Sequence, residues 1–112
     1  MSYRRLRQVI IGSLLAVPVA VCGGDPSRAS SPEQGKRLAL THCARCHSID
    51  KVSQSPLKIA PPFRTLHERY PVENLAEALA EGIRTGHPTM PEYRLDPGQV
   101  ADVIAYLKSL ER

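Results

Sequence analysis

The run Cys43-Ala44-Arg45-Cys46-His47 constrains this chain more than any other feature of its 112 residues. Two cysteines three apart on one helical turn project from one face, and the histidine that follows lies beneath whatever that face holds. The chain has three cysteines in all, Cys22, Cys43 and Cys46, so there is no even set from which to build a disulfide framework. A zinc half-site and a thioredoxin-like pair share the Cys-x-x-Cys spacing. Zinc, however, wants a second ligand pair, and the sequence supplies none.

A Cys-x-x-Cys-His run is also the attachment signature of c-type haem. In that reading the two sulfurs add to the two vinyl groups of one covalent haem, and His47 falls beneath the iron as its proximal ligand. Cys22 is then left over, and the N-terminus explains it. Arg4, Arg5 and Arg7 precede an apolar stretch from Val9 to Val21 that is followed by small residues, which reads as an export signal over residues 1–22. The stretch falls short of the roughly 20 residues a membrane-spanning helix needs, although an uncleaved signal would still act as an anchor. Val19-Ala20-Val21-Cys22 resembles a lipoprotein signal, with Val21 where a small residue is usual. Ordinary cleavage near Cys22 and Gly23, or as late as Ala29, satisfies the small-residue rule as well. Each route predicts a protein that works outside the cytoplasm, in the periplasm or anchored there through Cys22.

Removing the signal changes the charge argument. The chain carries 15 Lys and Arg against 11 Asp and Glu, and three of the arginines lie in residues 1–22, which leaves 12 against 11. A net charge of +1, offset further by two haem propionates, gives no basis for a nucleic-acid role or for attraction to an anionic membrane. After a polar, flexible segment over residues 23–30 there remains one small domain, residues 31–112, of about 80 residues. Its core is thin for its size, and haem would supply the missing apolar filling.

Capping signals predict an all-α domain of about four helices. Ser31 caps, Pro32 suits the first helical position and Gln34 completes a capping box, so a first helix should run from Pro32 to about His42. Gly35 within it marks a place where another helix can approach closely. A polar loop follows from Ser48 to Ile59, and Ala60-Pro61-Pro62 then forces extended backbone. Phe63, Leu66 and Tyr70 predict a short helix over 63–70. Val72, Leu75, Ala76, Leu79 and Ile83 predict an amphipathic one over 72–83, with Glu73, Glu77 and Glu81 on its solvated side. Gly86 and Pro88 should end it. Asp96 and Pro97 open a last helix, whose Val100, Val103, Ile104, Leu107 and Leu110 stripe should cross the first helix near Gly35.

Between these helices, Thr85-Gly86-His87-Pro88-Thr89-Met90-Pro91-Glu92-Tyr93 is an irregular loop whose one soft ligand is Met90. Placed about forty residues after the Cys-x-x-Cys-His run and between Thr89 and Pro91, Met90 is the candidate distal ligand of the iron, where a thioether would raise the reduction potential. His87, three residues earlier, is its rival. His42 and His67 read as helix-surface residues. Arg64, Arg84 and Tyr93 are candidates for the haem propionates or for solvent.

With these residues in hand, the sequence resembles the monohaem class I cytochromes c from about Glu33 to Leu110. The resemblance rests on Gly35, Cys43-Ala44-Arg45-Cys46-His47, Ala60-Pro61-Pro62-Phe63, Met90-Pro91-Glu92-Tyr93 and Asp102-Val103-Ile104-Ala105-Tyr106-Leu107. It implies a small cytochrome c fold around one haem c, with His47 and Met90 as axial ligands. It also implies that the backbone carbonyl of Pro61 accepts a hydrogen bond from His47 Nδ1, with Pro62 as the alternative. Ala39 stands where the family often has an aromatic, which predicts a looser crossing of the first and last helices. Ala60 replaces the glycine usual before the proline.

What the resemblance implies about function is single-electron transfer without a transformed substrate, between redox partner proteins that dock transiently. With both axial positions taken by protein, no open iron site is left for an enzyme. Two other roles share these features: a cytochrome subunit of a periplasmic dehydrogenase or oxidase, and a haem sensor or weak peroxidase in which Met90 dissociates and only His87 and Glu92 offer acid-base chemistry. A monomer is the default for a domain of this size.

Overall fold

A computed structural model describes residues 28–82 and 89–111. The stretch read above as an export signal, with Cys22, and Ile83, Arg84, Gly86, His87 and Pro88 lie outside the described residues. Among the described residues every regular element is helical: α1 (Pro32–His42), a 3₁₀-helix (Phe63–Glu68), a 3₁₀ turn (Val72–Asn74) running directly into α2 (Leu75–Glu81), and α3 (Pro97–Ser109). This is the small all-α architecture that the capping pattern predicts.

The crossing of α1 over α3 is the most extensive contact between elements, and Gly35 explains how close it is. A Cβ at Gly35 would lie 2.0 Å from the backbone oxygen of Asp102 and 2.8 Å from Tyr106 Cβ, so no side chain fits. Ala39 is wholly inaccessible in the same interface. The looser crossing expected from Ala39 is not found: the helices approach closely at Gly35, and Ala39 is fully buried.

The cap of α1 also differs from expectation. Ser31 Oγ accepts the Gln34 N–H at 3.3 Å, but the N–H of Ser31 itself donates to Asp102 Oδ1 on α3, at 2.6 Å, in place of the expected return bond from Gln34. A carboxylate is a stronger acceptor than a neutral amide, and the close approach at Gly35, one turn along, brings it within reach. Arg28 Nη2 meets the other oxygen of Asp102 at 2.9 Å. In α3 the reciprocal box is present, with Asp96 and Gln99 each capping the other's backbone and Pro97 in the first turn.

Two helices end earlier than their periodicity predicts. The segment from Phe63 is a 3₁₀-helix that stops at Glu68. At three residues per turn Phe63 and Leu66 share a face and are buried, whereas Tyr70 falls off that face and is 36 % exposed. α2 stops at Gly82, whose φ of 76° is the left-handed conformation that closes a helix, ahead of Gly86 and Pro88. Glu73, Glu77 and Glu81 are solvent-exposed, with Glu73 paired to Lys108. The core gathers Ala39, Ile49, Phe63, Leu66, Val72, Val103, Tyr106, Leu107 and Leu110. Within it the Tyr106 hydroxyl donates to the Ile49 carbonyl at 2.6 Å, which satisfies a buried loop oxygen.

Candidate functional site

α1 ends directly in the cysteine motif. Cys43 is its C-cap, and the Cys43 carbonyl accepts the N–H groups of both Cys46, at 3.1 Å, and His47, at 2.9 Å. The run is thereby coiled into one tight turn. A bond from the Leu57 N–H to the Cys46 carbonyl, 3.1 Å, pins the following loop against it.

His47 is 8 % exposed, so both ring nitrogens need partners. Nδ1 lies 2.7 Å from the carbonyl oxygen of Pro61; the acceptor is Pro61, not Pro62. A carbonyl can only accept, so Nδ1 carries the proton, which in the neutral ring puts the lone pair on Nε2, the tautomer that a metal-binding histidine uses. Phe63 holds the ring in place, its centroid 5.1 Å away at a tilt of 45°. Ala60, 1 % exposed, fits this proximal turn without a glycine, since among the described residues only Gly82 has a positive φ.

His47 lines an apolar cleft that is partly open to solvent, walled by Phe63 and Leu66, by Leu75, Ala78 and Leu79 of α2, by Val103 and Leu107 of α3, and by Met90. An adjoining cleft shares Cys43, His47, Phe63, Met90 and Tyr93 and adds Cys46 and Arg45. Both cysteine sulfurs are free of any disulfide. Burial, with the neighbouring Cys46, pushes the Cys43 thiol up to about 11, so it is neutral at physiological pH. Among the described residues no three His, Cys, Asp or Glu side chains gather as a bare metal ion would require. A wide, apolar cleft edged by two thiols and a lone-pair nitrogen, with a thioether also on its walls, suits a large flat apolar cofactor that brings its own metal.

Met90 is half-buried on a segment tied down just after it. The Tyr93 hydroxyl donates to the His42 carbonyl at 2.7 Å, the stem of Arg94 lies against Gly82, and the Leu95 N–H bonds the Leu79 carbonyl at 2.9 Å. Arg64, a candidate for the propionates, is engaged elsewhere: Nη1 donates to the Ser53 carbonyl at 2.8 Å and to Ser48 Oγ at 3.3 Å. His42 and His67 are exposed. The role of Phe63 against His47 was not anticipated, although it is the chain's one phenylalanine and follows the Pro-Pro pair.

Residues 32–111 match the family model for cytochrome c. The chain belongs to the cytochrome c family. Comparison with curated proteins finds no match. Membership gives the protein its cofactor, covalent haem c, and haem-based electron transfer. When bound, the haem supplies a single iron that passes between ferric and ferrous states. The cytochrome c domain spans both helices of the Gly35 crossing and every residue that lines the two clefts.

Proposed function

We propose that this cytochrome c is an exported, periplasmic single-electron carrier of the monohaem class I type. Cys43 and Cys46 hold the haem as thioethers, and His47 and Met90 bind the iron from opposite sides. The observation that carries this reading is that His47, with Nδ1 committed to Pro61, shares one apolar cleft with Met90. His47 is the electron-rich ligand; the Met90 thioether favours ferrous over ferric iron and sets a high potential. The surrounding aliphatic walls exclude water from all but the open side, where electrons exchange with a partner that docks briefly. The arginine-flanked apolar stretch over residues 9–21 supports export. With two protein ligands on the iron, no position is kept for a substrate.

The test is the optical spectrum of the protein exported together with haem-attachment machinery. The ferric form should show the weak far-red charge-transfer band of a sulfur ligand, and the haem should stay with the chain on denaturation. Met90→Ala should keep covalent haem, lose that band and lower the reduction potential. A wild-type potential in Met90→Ala would refute the assignment.

A further inference from the structure

Tyr93 presents its ring to the cleft that Met90 lines, while its hydroxyl points away to the end of α1. There it donates a 2.7 Å hydrogen bond to the carbonyl of His42. That carbonyl belongs to the last turn of α1, whose carbonyls have no partner within the helix, and it directly precedes Cys43. The two side-chain rings also meet, with centroids 5.5 Å apart at a tilt of 57°. Three residues on from Met90, Tyr93 is joined to it through Pro91, whose ring fixes φ and stiffens the connection. Its downstream neighbours are tied to a different wall, since Leu95 bonds Leu79 of α2.

We infer that Tyr93 is a positioning residue for Met90: its phenol fastens the Met90 loop to the turn that carries the haem-attachment cysteines and so slows release of the methionine from iron. The inference rests on the reading of Met90 as an axial ligand. The bond from Tyr93 to His42 fixes the spacing between the loop and the end of α1. A methionine that swings away from the iron must draw the loop from α1 and break or strain that bond, whereas the seated methionine keeps it. Its contribution therefore enters the barrier to Met90 release. A neutral hydrogen bond at a partly exposed site predicts a threefold to tenfold change in that rate, about the Boltzmann factor of one such bond.

The experiment uses the exported holoprotein and Tyr93→Phe, which keeps the ring and removes only the donor. Ferric protein is mixed with rising concentrations of imidazole, and the rate of displacement of Met90 is followed to its plateau, where methionine release limits it. The expected result is a plateau about threefold to tenfold higher in Tyr93→Phe, with the far-red band still present before imidazole is added. Tyr106→Phe loses a phenol-to-carbonyl bond of the same kind, to Ile49, which does not involve the Met90 loop, and should keep the wild-type plateau. An unchanged plateau in Tyr93→Phe, or an equal rise in Tyr106→Phe, overturns the role of Tyr93 while leaving Met90 ligation standing. A wild-type ferric spectrum without the far-red band removes Met90 as ligand, and the positioning role with it.

Discussion

Gly35→Ala is the sharpest test of the reasoning about the α1 and α3 crossing. In an isolated helix the change is favourable by about 1 kcal/mol. Here the new Cβ would sit 2.0 Å from the Asp102 carbonyl oxygen, against about 3.4 Å for ordinary contact, so the helices must part by about 1.4 Å locally. The obstructing atoms are the backbone of α3 and a Cβ, which cannot rotate aside. Overpacking of this kind costs about 1–3 kcal/mol. The shift also draws Asp102 away from the Ser31 N–H, which it now holds at 2.6 Å, and a hydrogen bond to a charged group contributes about 1.5–3 kcal/mol. With the propensity gain set against these, the net loss is about 3 kcal/mol, or a fall in Tm of roughly 12 °C or more for a domain of this size. Urea unfolding of the holoprotein, followed by circular dichroism, should show a lower midpoint at unchanged slope. Because the two costs share Asp102, Gly35→Ala should lose less in an Asp102→Ala background than alone. A Gly35→Ala protein within 0.5 kcal/mol of wild type, on the scale of an ordinary surface substitution, or strict additivity in the pair, would refute the argument.

Asp102→Ala by itself should destabilise by about 2 kcal/mol, since it strands the Ser31 N–H at the start of α1, whereas Arg28→Ala, which removes a partner whose side chain is 60 % exposed, should cost under about 1 kcal/mol; urea midpoints of the two variants decide it. Asp50 takes hydrogen bonds from the Ser53 hydroxyl and from the Ser53 and Val52 N–H groups, with Arg64 nearby, and its pKa is held down at about 2 against an ordinary 3.8. A depressed carboxylate contributes stability above its unfolded pKa and loses it as pH falls toward the folded value. Asp50→Asn should therefore melt below wild type at pH 7, with the difference shrinking from about pH 4 toward pH 2; an undiminished gap at pH 2 would show that the carboxylate charge is not what orders the loop.

What the sequence makes legible is what is written locally. The starts of α1 and α3 are found to the residue because each begins with a side chain that caps and a proline that fits the first turn. The cysteine turn is legible for the same reason, being five consecutive residues. The ends of the middle helices are misjudged for physical causes. Phe63 and Leu66 at spacing three satisfy both a 3₁₀ and an α period, and Ile83 continues the apolar stripe of α2 past Gly82, whose left-handed backbone had already closed the helix. Gly82 was the available signal. Asp102 gives no local sign at all: a carboxylate beside an apolar stripe reads as solvated, and the N–H it caps lies 71 residues away. The bond from Tyr93 to His42 spans 51 residues and is invisible for the same reason. The partnership of His47 with Pro61 comes into view only through the family resemblance.

These long-range contacts divide the two sides of the proposed iron site unequally. His47 is buried, hydrogen-bonded through Nδ1 and packed against Phe63, and its backbone N–H is part of the cysteine turn. To leave the iron it would have to unfold the turn that carries the covalent attachment. Met90 is half-buried, and the anchors that follow it, at Tyr93 and Leu95, are single hydrogen bonds of about 1 kcal/mol each. In the proposed site, methionine exchange draws on a local opening of the segment around Met90, whereas histidine exchange must disturb the cysteine turn itself. In the proposed site the fold favours ligand exchange on the Met90 face, and contacts such as the bond from Tyr93 to His42, outside the cysteine motif, contribute to the stiffness of that face.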